Sequence, residues 1–124
     1  MLTLGGTNVR IYVAMEPVDM RKSHDGLAAI MQERLALDPL SGHLVLFVNK
    51  RRDMLKLQWF DRTGHVILFK RLEEGTFQLP AVKPGATRAE VDLAELTMIL
   101  EGIDLRSAVR RKRYSRAADL SAHH

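Results

Sequence analysis

The residues of this sequence best suited to chemistry are cations, and they come in short runs. Lys50-Arg51-Arg52 stands between two apolar stretches, and Arg21-Lys22 follows Asp19-Met20. Lys70-Arg71 closes a further apolar stretch, Lys56 lies upstream of it, and Arg110-Arg111-Lys112-Arg113 lies near the C-terminus. Clustered ammonium and guanidinium groups suit a polyanion, because phosphate contacts supply most sequence-independent affinity for DNA. A protruding basic turn can follow a groove or straddle a backbone. The candidate DNA-binding residues are therefore Arg21, Lys22, Lys50, Arg51, Arg52, Lys56, Lys70, Arg71, Arg110, Arg111, Lys112 and Arg113.

Each block also has a plainer reading. A basic loop is often a solubilising turn, and Arg21 can pair with a nearby acid. The arginine-rich end can dock on acidic residues of its own chain or of a neighbour. Trp59 falls at an inward position and reads as core rather than as a base-stacking platform. Phe60, on the opposite face, reads as the exposed aromatic.

Catalytic chemistry finds little support. Two-metal phosphoryl transfer needs carboxylates converging within ~4 Å of paired cations. Here Asp38 precedes a proline, Asp53 and Asp61 fall in turns, and Asp92 and Glu95 have capping-box spacing. The five histidines show no HxH or HExxH spacing, and there is neither a GxxxxGK[ST] loop nor a GxSxG elbow. With no cysteine in the chain, disulfides, thiolate zinc sites and thiol nucleophiles are excluded. The expectation is a non-enzyme with no catalytic residue, no metal and no cofactor.

At 124 residues, with 46% hydrophobic and 27% charged residues, the chain has the size and composition of one globular domain. The net charge of +4 is unevenly spread. Residues 50–71 and the end from 106 onward are basic, and residues 72–105 between them are acidic. No apolar run is long enough to span a membrane, and the first residues lack the basic region of a signal peptide. A cytoplasmic, nucleoid-associated protein without a membrane partner is expected.

The elements that must position these residues follow from periodicity. Val9–Val13 alternates as a strand. Asp19 or Ser23 can cap a helix running to about Leu37, with Leu27, Ile30, Met31 and Leu35 on one face, and Asp38-Pro39 stops it. Strands His43–Asn49, Met54–Asp61 and His65–Arg71 form a meander. The basic turn pairs Leu46 with Leu57 and Val48 with Leu55. A three-residue second loop pairs Asp61 with His65 and Trp59 with Ile67. One face is then apolar from Leu44 to Phe69 and receives the helix, while Lys56 falls opposite Lys70 on the other. Residues 80–91 read as a loop, and Asp92-Leu93-Ala94-Glu95 opens a short helix that Gly102 ends. The fold class is α+β: a small single domain over 1–106, with an antiparallel β-meander packed by one main helix, a short C-terminal helix, and a mobile basic tail over 107–124. His123-His124 belongs to the natural chain or to a tag.

Several blocks occur together in a distinctive order: Asp19-Met20-Arg21-Lys22, Asp25-Gly26-Leu27-Ala28, Ser41-Gly42-His43-Leu44 leading to Phe47, and Lys50-Arg51-Arg52-Asp53. Lys56-Leu57-Gln58-Trp59-Phe60-Asp61, the run from Lys70 to Phe77, and Leu100-Glu101-Gly102-Ile103-Asp104 follow. Over about residues 7–106 the chain resembles the second-reading-frame accessory proteins of the insertion-sequence family numbered 66. These are TnpB-type proteins, distinct from the RNA-guided nuclease that shares the label. Ser23-His24 stands where a glycine and an aromatic are usual, and Leu105 where tryptophan is usual. The resemblance implies an accessory role in transposition beside a transposase of the same element; the non-catalytic reading and DNA as the second expected partner come from the residues above. The alternative is an adaptor that holds the transposase through the acidic 72–105 segment or a sheet edge, without touching DNA. Self-association is left open.

Overall fold

A computed structural model of the chain describes residues 9–102. In chain order the elements are β1 (Ile11–Ala14), α1 (His24–Glu33), β2 (Leu44–Val48), β3 (Met54–Phe60), β4 (His65–Arg71), β5 (Arg88–Val91) and α2 (Leu93–Glu101). The five strands make one mixed sheet in the order β4-β3-β2-β1-β5. β1 and β2 run parallel, and every other neighbouring pair is antiparallel. Parallel neighbours need a crossover connection, and α1 supplies it. The result is the expected small α+β domain; the tail from 107 onward lies outside the described residues.

Every residue of β1 and β2 is buried. Such uninterrupted apolar runs belong to strands covered on both faces. On one face Tyr12, Ala14, Val45 and Phe47 pack against Leu27, Met31, Leu35 and Leu37 from α1 and the chain that follows it. On the other, Ile11, Val13, Leu44, Leu46, Val48, Leu55, Leu57 and Trp59 meet Phe77 and, from α2, Leu96 and Ile99. The main helix therefore covers the face opposite the one expected. The Leu44–Trp59 face is closed instead by Phe77 and α2.

α1 is shorter than its apolar pattern. Ser23 stands at its N-cap without a side-chain cap bond, its hydroxyl lying 3.1 Å from His24 Nδ1. Ala36 adopts a left-handed φ of 54° that ends the helical path before Leu37. α2 follows its local signals: the Asp92–Glu95 capping box is fully formed, and Gly102 ends the helix at φ 75°.

Two further expectations are corrected. Residues 88–91 form β5 beside β1. Arg-Ala-Glu-Val has little intrinsic strand preference, and the pairing comes from a partner far away in sequence. Arg88 is held there by the Leu35 carbonyl (2.8 Å) and by the Tyr12 ring, 4.8 Å from its guanidinium carbon. The second correction is the register of β4. The basic turn pairs Leu46 with Leu57 and Val48 with Leu55 as expected. The next loop, however, is four residues long and closes on Phe60–His65, with Trp59 opposite Val66. The Asp61 carboxylate sets this length by accepting from the backbone N–H of Thr63 and Gly64 and from the Thr63 hydroxyl. These bonds hold the Asp61 carboxyl below its usual pKa. A one-residue change of register moves every side chain to the other face. Ile67 and Phe69 consequently lie on the α1 side. Lys56 stands opposite Phe69 and Lys70 opposite Leu55, so the expected like-charge pair does not form.

Trp59 is 5% exposed, and among the described residues no group accepts from its Nε1. Trp59→Ala should cost about 3–5 kcal/mol, as for other buried large aromatics. Trp59→Phe, which retains most of the ring while removing a donor without an acceptor, should cost less than about 1.5 kcal/mol. Denaturant melts followed by far-ultraviolet circular dichroism check both; equal losses would show that the indole N–H is satisfied.

Candidate nucleic-acid interface

The β2–β3 connection, residues 49–53, is a turn built around one side chain. Asn49 Oδ1 accepts from the backbone N–H of Asp53 and Met54, both at 3.0 Å, and Asn49 Nδ2 donates to Asp53 Oδ1 at 2.7 Å. The 72–77 segment braces the turn from outside: Leu72 N–H donates to the Asp53 carbonyl (2.9 Å) and Phe77 N–H to the Arg52 carbonyl (2.7 Å). Phe77 is itself fully buried. On this frame Lys50, Arg51 and Arg52 are all exposed. Among the described residues none of the three has an ion-pair partner. Arg52 holds φ at 60°. That left-handed backbone costs a residue with a side chain about 1–2 kcal/mol, and glycine or asparagine is the usual occupant.

The 15–22 segment lies beside this turn. Val18 N–H donates to the Val48 carbonyl at 2.9 Å. Lys56, only 8% exposed, places its Nζ 2.8 Å from the Met20 carbonyl and 2.7 Å from the Lys22 carbonyl, with the Phe69 ring 5.0 Å away. Between segment and turn runs a groove of roughly 490 Å³, with Val18, Met20 and Met54 among its walls and Lys50 and Arg51 at its rim. Arg21 is clamped to Asp19: Nε and Nη2 reach one carboxylate oxygen at 3.0 and 2.7 Å, and the Arg21 backbone N–H reaches the other at 2.8 Å. These bonds hold the Asp19 carboxyl at a pKa of about 2 and raise that of Arg21. Lys22 is exposed and without an ion pair among the described residues. Arg71, opposite Met54 at the end of β4, stands 4.0 Å from Glu73.

Sheet pairing and these bonds bring Arg21, Lys22, Lys50, Arg51, Arg52 and Arg71 to one end of the sheet. Two candidates have hydrogen-bond partners inside the domain. Lys56 is an internal tie that binds two carbonyls, and Lys70 Nζ caps α2 by donating to the Leu100 carbonyl at 2.6 Å. Arg110, Arg111, Lys112 and Arg113 lie outside the described residues. Asn49 and Phe77 were not singled out from sequence, although asparagine opening a turn is a familiar signal. Phe60 packs edge-on to His65, and Phe69 is the exposed aromatic.

Most described acids have defined structural partners. Asp19 holds Arg21, Asp38 accepts from Leu40 N–H, Asp53 serves the Asn49 turn, Asp61 shapes its loop, and Asp92 and Glu95 cap α2. Glu16, Glu73 and Glu90 lie in ion pairs with arginines. Among the described residues no three histidine, aspartate or glutamate side chains are placed to hold a metal ion, and no helix is long and apolar enough to cross a membrane.

Comparison with known proteins places the chain in a family. Two Sinorhizobium fredii proteins, both described as uncharacterized, are similar over most of the chain. y4hO is 39% identical over 101 residues, covering 82% of this chain and 86% of the relative. y4jC is 36% identical over 104 residues, covering 84% and 86%. No solved structure matches. The model of the IS66 Orf2-like proteins matches residues 9–110, a span that takes in the basic turn, its Asn49 frame and the Asp19–Lys22 segment. The chain belongs to the IS66 Orf2-like protein family.

Proposed function

We propose that the protein is a non-catalytic accessory factor for transposition of an IS66-type insertion sequence, and that it assists the transposase by laying the basic end of its sheet along transposon DNA. The transposition role rests on the family. The observation that carries DNA contact is the 49–53 turn, where three exposed cations without ion pairs are held on a rigid frame, one of them in a strained backbone conformation. A turn selected for stability alone would favour glycine or asparagine at position 52; Ala36 and Arg62 share such a backbone, so the strain supports the reading only together with the unpaired charges around it. The structural roles of the acids support the non-catalytic part.

Contact of this kind works through counterion release. Each phosphate neutralised by Lys50, Arg51, Arg52 or Lys22 frees condensed cations, which gives affinity and a steep salt dependence but little sequence preference; Arg71 contributes only when phosphate displaces Glu73. Choice of transposon ends then falls to the transposase, and the accessory protein adds affinity and orientation. Arg21 contributes only when phosphate competes with Asp19 for its guanidinium. The cationic run at Arg110–Arg113 extends the same chemistry along the chain.

A salt series of duplex-DNA binding tests the proposal. Arg51→Ala combined with Arg52→Gly should lower the slope of log K against log salt by roughly 1–2 units. It should also leave the domain as stable or raise its stability by up to about 1 kcal/mol, because glycine relieves the left-handed backbone. An unchanged slope, or no DNA binding by the parent protein, would favour an adaptor that binds only the transposase.

Lys56→Met should do the opposite. It should cost about 1.5–3 kcal/mol through loss of bonds from a charged donor, and leave the salt slope of the folded protein unaltered. A reduced slope would return Lys56 to the interface.

Deleting residues 107–124 removes Arg110, Arg111, Lys112, Arg113 and Arg116. With about three of them on phosphates, the slope should fall by ~2.7. An identical slope in the truncated protein would assign those charges to another partner.

A further inference from the structure

We propose that the outer edge of β4 is a self-association surface, where a second copy of this chain adds its own β4 antiparallel across a two-fold axis at Leu68. The sheet order leaves β4 and β5 as edges. β5 is four residues long and carries Arg88 and Glu90, the short and charged form by which edges resist pairing. β4 has seven residues, pairs with β3 through seven consecutive positions without a bulge, and contains no proline or glycine. Among the described residues no strand lies on its outer side. Its unpaired N–H and C=O groups therefore run alongside two of the large exposed apolar side chains, Leu68 at 42% and Phe69 at 55%.

The occupant follows from the residue pattern. His65-Val66-Ile67-Leu68-Phe69-Lys70-Arg71 is apolar at its centre and polar at both ends. Antiparallel pairing about Leu68 uses all seven residues and keeps each face in register. Leu68 meets Leu68 of the second copy on one face; Ile67 meets Phe69, twice, on the other. Apolar and aromatic–β-branched pairs of this kind are the favourable cross-strand contacts. A register centred one residue toward either end loses these central pairs and sets Phe69 against His65 or Leu68 against Lys70, whereas centring on Leu68 confines the mixed pairs, Val66 with Lys70 and His65 with Arg71, to the strand ends.

Charge does not oppose the match. Lys70 donates to the Leu100 carbonyl, and Arg71 is paired with Glu73 within the protomer. A two-fold contact is also the commonest form of self-association. Seven residues a side fall below the roughly 20–30 of a stable interface, so the dimer belongs to the weak, concentration-dependent class. It would extend the five-stranded sheet to ten strands and leave the basic turns of both copies uncovered.

Light scattering on the full-length protein, from low micromolar to several hundred micromolar, should show a monomer–dimer equilibrium. Leu68→Lys should shift it at least tenfold toward monomer without lowering the melting temperature, since this side chain is partly exposed. The absence of native cysteine permits a second measurement. Opposed residues of antiparallel strands lie within disulfide reach. Leu68→Cys should therefore oxidise to a covalent dimer several times faster than Leu40→Cys, a comparably exposed leucine outside the sheet. A monomer at every concentration overturns the proposal. So does a dimer insensitive to Leu68→Lys, or crosslinking at position 68 no faster than at position 40.

Discussion

Burial of both faces of β1 and β2 is the constraint on which the rest of this structure depends. Val13, Leu46 and Phe47 are 0% exposed, and Val45 and Val48 1%. A sheet with no wet face at its centre must be covered by two layers. The β1–β2 crossover provides one as α1, and the chain after β4 provides the other as Phe77 and α2. Each large apolar side chain so enclosed contributes on the order of 1.5–3 kcal/mol, and the layers hold one another in place through the sheet between them.

The same constraint traps polar groups and determines what they do. β3 sends Lys56 and Gln58 into the side covered by α1, where both are buried. A buried ammonium is costly unless it is bonded, and Lys56 meets that need with the Met20 and Lys22 carbonyls. Gln58 donates to the His24 carbonyl. These bonds draw the chain preceding α1 onto the sheet and set Arg21 and Lys22 beside the basic turn. A cation inside the protein thus arranges the cations outside it. On the opposite face of the sheet, Lys70 plays a comparable part for α2, whose last turn has no basic residue of its own.

The basic end is firm for reasons of local chemistry. Asn49 replaces backbone partners inside its turn, and Asp19 does the same for Arg21 while holding its guanidinium. The 72–77 segment joins the two levels of organisation. Its backbone N–H groups brace the turn, and its Phe77 ring anchors the core beneath it. Rigidity of this kind would lower the entropy lost in the proposed contact with a phosphate backbone.

Features decided within a few residues were legible in the sequence. The capping box of α2 and its Gly102 end, the pairing across the basic turn, the inward Trp59 and the exposed Lys50-Arg51-Arg52 all depend on contacts short in sequence. The ordered blocks likewise pointed to the family. Tertiary structure alone decided the rest. Pairing with β1 makes Arg88–Val91 a strand, although its own residues lack strand preference. One additional residue in the 61–64 loop, specified by three bonds to a single carboxylate, turns β4 over and separates Lys56 from Lys70. Both lysines look in sequence like Lys50. Their long stems reach carbonyls that are 34 or 36 residues away for Lys56 and 30 for Lys70, and no local pattern shows which acceptor the folded chain will bring within range.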